Sequence, residues 1–156
     1  MGMLDQEVIF SDSQSAVLST GDTASTNIYY TGGANGQGDA GQTGENLWIN
    51  VLVGKTAVST TNTTSTIAAV LQDSVDGSSF ADVVVGKAFT ATLAGPTPIP
   101  IGTVLLQVQP PPGMRPYWRI AYRVGTAGMS AGVLDAYVSN TIQRNITRPS
   151  GIPAVQ

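Results

Sequence analysis

The stretch YWRIAYRV, residues 117–124, alternates strictly between two kinds of side chain. Trp118, Ile120, Tyr122 and Val124 are apolar and fall on one side, while Tyr117, Arg119, Ala121 and Arg123 fall on the other. A repeat of two is the pattern of a half-buried β-strand, because successive side chains of a strand point to opposite faces. A large aromatic side chain buries roughly 150–250 Å², so Trp118 and Tyr122 make this strand an anchor of a core. The preceding PPPG, residues 110–113, is the turn that launches it, since proline fixes φ and removes a backbone donor.

The same signal recurs outward in both directions. Short runs of Val, Ile, Thr and aromatic residues, separated by Gly/Pro/Asn/Asp/Ser clusters, predict strands near 7–10, 16–19, 26–30, 46–53, 66–72, 80–85, 87–92, 103–109, 117–124 and 132–139. No segment keeps a helical period over a dozen residues. TIAAVL, residues 66–71, comes nearest, but its β-branched residues and the QDSVDG turn after it favour a strand. About eight to ten short antiparallel strands predict an all-β, jelly-roll-like sandwich or barrel. It is expected to form one domain over residues 1–140, with an extended C-terminal arm over 141–156. Trp48, in NLWINVLV, is the expected partner of Trp118 in the core. In VLDAYV, residues 133–138, Leu134, Ala136 and Val138 face the core and Val133, Asp135 and Tyr137 face out. Asp135 is expected to pair with Arg119 or Arg123 on a neighbouring strand.

Three connecting segments stand apart. Residues 31–44, TGGANGQGDAGQTG, hold six glycines in fourteen positions and predict a surface loop. AGPTPIPI, residues 94–101, is a stiff extended connector with three prolines. TIQRNITRPSGIPAVQ, residues 141–156, carries no clear alternation and is expected to be disordered or ordered against a neighbour.

Composition restricts function. The chain of 156 residues has no cysteine and no histidine, which removes disulfides, thiol nucleophiles, Cys/His zinc sites and histidine-based triads together. The N-terminus lacks a basic region followed by an apolar run, so no signal peptide is expected. No apolar run approaches the ~18 residues of a membrane helix. Charged residues are 11% of the chain, against about 25% in ordinary domains. A surface so poor in charge is either coated by Ser and Thr or partly covered by a partner. Residues 1–114 hold Lys55 and Lys87 against nine acids, a balance of −7, whereas residues 115–156 hold five arginines against Asp135, a balance of +4. An acidic chain with two lysines is a poor nucleic-acid binder. The arginine-rich third offers Arg115, Tyr117, Arg119 and Arg123 as either a solvated face or a docking face for an acidic protein.

The remaining motifs are weaker. Gly54-Lys55-Thr56 resembles the end of a phosphate loop, but the required upstream glycine is absent and no helix is predicted after it. Asp73, Asp76 and Asp82 around Gly77 have oxygens for calcium, yet Asp76-Gly77 equally suits a β-turn. The other acids lie mostly in turns, so no carboxylate pair for glycoside hydrolysis emerges. No enzymatic activity and no cofactor are expected.

Three segments resemble one known family: PPGMRPYWRIAYRVGTAGMSAGVLDAYVSN near the end, LDQEVIFSDSQSAV with STNIYYTG at the start, and VLQDSVDGSSFADV in the middle. They resemble the capsid cement (decoration) proteins of short-tailed bacteriophages, in order over residues 3–140. The resemblance implies a jelly-roll virion protein made in the bacterial host cytoplasm and placed on the outer surface of the capsid. It implies a homodimer, with a trimer as the alternative, that bridges copies of the major capsid protein and binds neither nucleic acid nor membrane. The arm would add Ile142, Arg144, Ile146, Arg148 and Ile152 as contacts. Two other readings stay open. One is a carbohydrate-binding or adhesion module of a tail fibre, using Tyr29, Tyr30, Tyr117 or Trp48 as platforms. The other is a different head–tail structural protein.

Overall fold

The computed structural model describes residues 9–31, 47–93 and 97–139. Among them are ten strands and no helix: β1 Ile9–Ser15, β2 Gly21–Ala24, β3 Tyr29–Tyr30, β4 Trp48–Val53, β5 Thr64–Ser74, β6 Ala81–Val85, β7 Phe89–Thr92, β8 Val104–Val108, β9 Tyr117–Gly125 and β10 Val133–Ser139. They form two antiparallel sheets packed as a sandwich. The first sheet has the order β1-β10-β4-β8; the second has β2-β9-β5-β6, with β3 also on β9 and β7 also on β5. When β2 with β3, and β6 with β7, are each counted as one interrupted strand, eight strands remain. Their orders are then 1-8-3-6 and 2-7-4-5. A single long antiparallel hairpin folded over on itself gives this nesting, with first strand on last and second on seventh. This is the jelly roll.

The β9 alternation is as expected from sequence. Trp118, Ile120, Tyr122 and Val124 lie in the core, joined from the first sheet by Phe10, Ile49, Val51 and Leu134. Full burial of such side chains contributes about 1.5–3 kcal/mol each. The Tyr122 hydroxyl donates to Ser11 Oγ at 2.8 Å and so links the two sheets across the core. Burial drives the Tyr122 phenol pKa well above its ordinary value.

Several boundaries differ from the sequence expectation. β1 runs on through the polar SDSQS because two register shifts and a left-handed Ser13 (φ 52°) carry the ladder past residues that read as a loop. Residues 16–19 make an isolated bridge, Leu18 with Met129, rather than a strand. Only Tyr29 and Tyr30 of 26–30 join the second sheet. Trp48 is not in the core. Ile49, Val51 and Val53 take the inward positions of β4, so Trp48 and Leu52 face out and are half-buried.

The sheet edges are interrupted. Asn27 donates from its backbone to the Phe10 carbonyl (2.9 Å) and from Nδ2 to the Ile9 carbonyl (3.0 Å), covering the start of β1. The register of β8 on β4 slips at Leu105. β6 and β7 are broken at Gly86, where a Cβ would lie 2.7 Å from the Ala69 carbonyl oxygen and 2.8 Å from that of Leu105. Gly86 therefore lets the backbone of the second sheet approach β8. Such devices blunt edge-to-edge pairing.

Candidate functional site

β9 presents Tyr117, Arg119 and Arg123 on the outer face of the second sheet, as the alternation requires. Register on the neighbouring strands decides what these side chains meet. Arg119 stands opposite Gln72 of β5, which stands opposite Asp82 of β6. Arg119 Nε donates to Gln72 Oε1 at 2.8 Å, and Gln72 Nε2 donates to Asp82 Oδ1 at 2.7 Å. The Arg119 guanidinium also lies 3.9 Å from the centroid of the Phe80 ring. Arg123 Nη2 donates to the other Asp82 oxygen at 2.8 Å. Arg123 faces Asp22 of β2 in register and grips it with two bonds of 2.7 Å, from Nε and Nη2. The chain Arg119–Gln72–Asp82–Arg123–Asp22 thus ties together β9, β5, β6 and β2.

The electrostatics follow from these contacts. The hydrogen bonds from Arg123 hold the Asp22 carboxyl below its usual range. Those from Gln72, then Arg123, do the same for Asp82. The two carboxylates raise the Arg123 pKa in return. Ala68, Val70 and Ala121 point to this outer face, yet they are 6%, 0% and 1% exposed. The arginine–carboxylate lattice roofs this small apolar floor.

Arg115 lies just before β9. Its carbonyl accepts Trp118 Nε1–H at 2.6 Å and its amide donates to Asp73 Oδ2 at 2.9 Å. Its guanidinium is 3.8 Å from Asp73 and half exposed. Beside it, Tyr117 packs on Tyr30 with ring centroids 4.7 Å apart, and Tyr30 is 49% exposed. Tyr29 is instead held between Phe10 and Trp118.

The structure therefore assembles Arg115, Tyr117, Arg119 and Arg123 on one face, but adds three partners that the sequence did not assign to it. Asp22, Asp73 and Asp82 fold back from the acidic part of the chain, so Arg115 meets Asp73 and Arg123 meets Asp22 and Asp82, while Arg119 reaches Asp82 through Gln72. The cationic stripe becomes a neutral lattice. Asp22 lies in GDTA, between the strands predicted from sequence, and Asp82 depended on a register that one sequence does not reveal.

Asp135 corrects a second expectation. It lies on β10 in the first sheet, away from Arg119 and Arg123 in the second. Its Oδ1 accepts the Ser13 amide at 2.7 Å. A Cβ on Gly54 would collide with its other oxygen, so Gly54 makes room for this carboxylate. Asp135 and Asp12, with Ile9, Leu52 and Tyr137, line a shallow pocket of about 280 Å³. On the same face, Asn50 takes a bond from Gln107 Nε2 and gives one to Ser139 Oγ, each 2.8 Å.

The turn reading of Asp76 holds. Its carboxylate accepts the amides of Ser79 and Ser78 at 2.9 Å and the Ser74 hydroxyl at 2.8 Å, which bring its pKa down to about 2. Among the described residues no three acids gather as a metal site. Gly54-Lys55-Thr56 closes β4 into a turn with no helix behind it. Ile142, Arg144, Ile146, Arg148 and Ile152, and most of the glycine-rich loop, lie outside the described residues. Neither protein-family models nor curated proteins give a match to this chain.

Proposed function

We propose that this chain is a non-enzymatic cement protein of a bacteriophage head. It binds the outer surface of the assembled capsid, bridges major capsid proteins, and acts as a dimer or trimer. The reading is supported by the resemblance over residues 3–140 together with the jelly-roll strand order. It acts by differential affinity: a protein that binds expanded joints and not the precursor shell stabilises the expanded state.

The observation that carries the choice of contact is the cluster of exposed Tyr30 and Arg115 around half-buried Tyr117 at one end of the second sheet. Tyrosine and arginine are the residue types that dominate binding energy at protein interfaces. Arg119 and Arg123 hold this face in shape rather than lead the contact. Residues 141–156 offer a second contact through Ile142, Arg144, Ile146, Arg148 and Ile152.

The test is co-sedimentation of purified protein with expanded heads that lack it, at moderate salt. Wild type is expected to bind, and Tyr30→Ala with Arg115→Glu is expected to weaken binding about tenfold or more, the scale of a hot-spot pair, without loss of fold. Failure of the wild type to bind heads rejects the proposal. Exposed Tyr30, packed on Tyr117, also favours a glycan platform as the second reading. Glycan-array binding that Tyr30→Ala abolishes, in a chain that ignores heads, selects it.

A further inference from the structure

At the end of β9 opposite Tyr117, three loops enclose an open cavity of about 510 Å³. Residues 17–20, 61–62 and 128–130 form its walls. The length of β9, Tyr117–Gly125, or about 27 Å at ~3.4 Å per residue, separates it from the Tyr30–Tyr117 pair.

The walls are fixed by the protein itself. Leu18 and Met129 exchange backbone bonds of 3.2 and 2.8 Å, and Ser59 and Ala131 exchange bonds of 3.0 and 3.3 Å. The Gly128 carbonyl oxygen lies within hydrogen-bonding distance of Thr60 Oγ1 (2.9 Å), Asn62 Nδ2 (3.0 Å) and Ser65 Oγ (3.0 Å). A Cβ on Gly128 would stand 2.8 Å from the Leu18 carbonyl oxygen, so glycine lets these two loops close up. The three segments are locked together before any ligand arrives.

The groups left over define the ligand. No charged side chain and no aromatic ring lines the cavity. Among the described residues, the exposed hydroxyls of Ser19, Thr20 and Thr61 make no hydrogen bond within the protein. Asn62 directs Nδ2 to Thr60 Oγ1 and the Gly128 carbonyl, which fixes the amide and leaves Oδ1 as an acceptor without a protein partner. Buried Leu18 and Met129 close the floor, and Val17, 63% exposed, gives the rim one apolar edge.

We propose that this cavity binds a neutral saccharide. An ion finds no counter-charge there, and a flat apolar ligand finds no aromatic wall. Sugar hydroxyls donate and accept, as Ser and Thr hydroxyls do, so they replace the water on these groups bond for bond. Val17 meets the C–H edge of the ring. The volume falls in the ~300–1,000 Å³ range of small-molecule sites and admits a short saccharide. One sugar ring has few atoms and no aromatic partner here, which sets a Kd in the millimolar range. The site lies at the far end of β9 from Tyr30 and Arg115, so it does not depend on capsid binding.

The test is an amide-resolved NMR titration of the full-length, isotope-labelled protein with methyl glucoside, methyl galactoside and N-acetylglucosamine, each compared with glycerol at equal concentration. At least one sugar is expected to shift the amides of residues 17–20, 61–62 and 128–130, saturably and beyond glycerol. Thr61→Val and Thr20→Val each keep the branched shape and remove a hydroxyl that no protein group uses. Each should preserve the fold and weaken binding about two- to tenfold, the scale of one neutral hydrogen bond. Tyr30→Ala should leave binding unchanged. The proposal is overturned if no sugar exceeds glycerol, or if either Thr variant binds with full affinity. Loss of binding in Tyr30→Ala also overturns it, because the sugar then sits at the tyrosine end. None of these outcomes bears on whether the chain binds heads.

Discussion

Replacing Arg123 with methionine separates a structural arginine from a docking one. Met keeps an unbranched stem over Ala68, Val70 and Ala121 but removes the charge. Two carboxylates then lose their shared partner: Asp22, held by two bonds of 2.7 Å, and Asp82, held by one of 2.8 Å. The side chains are 39% exposed for Arg123 and 36% for each acid, so water and salt weaken the pairs. Exposed ion pairs contribute up to about 1 kcal/mol each, so the two together set an expected loss of up to about 2 kcal/mol. For a chain of this length that lowers Tm by about 2–4 °C per kcal/mol. The assay is urea unfolding of both proteins across pH. The folded pKa values of Asp22 and Asp82 are depressed, so their contribution is present above the unfolded carboxylate pKa of about 3.9 and is lost as pH falls through the lower folded values. The gap between Arg123→Met and wild type should therefore be full at neutral pH and close in acid. Equal stability at pH 7, or a gap that persists unchanged through the carboxylate range, refutes the lattice as a stabilising device.

Three further outcomes follow from single contacts. Gly86→Ala sets a Cβ within 3 Å of the Ala69 and Leu105 carbonyl oxygens; overpacking of this kind costs ~1–3 kcal/mol, read as a lower urea midpoint with an unchanged slope. Tyr122→Phe removes the inter-sheet bond to Ser11 while keeping the ring, and should cost about 1 kcal/mol by the same measurement. Asp76→Ala frees the Ser78 and Ser79 amides, so these two should lose hydrogen-exchange protection selectively, with β5 unaffected.

The fold was legible where apolar alternation is dense. Tyr117–Gly125 and Val133–Ser139 announce themselves because each buries one face and wets the other. The sequence is silent where polar residues are held in strands by distant partners. SDSQS of β1 and GDTA of β2 have no apolar period, and their ladders exist because Ala136 and Arg123 stand opposite them. The same limit hid the site. The outward direction of Arg119 and Arg123 is local information, but the carboxylates that hold Arg123 come from β2 and β6 and the amide that holds Arg119 from β5, far away in the chain. Trp48 misled for a related reason: in LWINVLV nearly every residue is apolar, so the pattern does not say which face is the core. Asn50 is the discriminating residue, since its amide is bonded to Gln107 and Ser139 on the outer side.

The edges and faces together constrain how this molecule associates. Strand addition needs a run of unpaired backbone groups in register. β1 is shifted twice and covered by Asn27, β8 slips at Leu105, and both edges of the second sheet are interrupted. On the proposed function, partners therefore meet side chains on faces. The two faces are unlike: one is a self-neutralised lattice ending in Tyr30, Tyr117 and Arg115, the other an aromatic and amide surface ending in Asp12 and Asp135. Disruption of the contact and of the lattice should then be separable. On the proposed function, changes at Tyr30 and Arg115 weaken capsid binding, whereas changes at Arg123 lower the stability of the sheet that carries them.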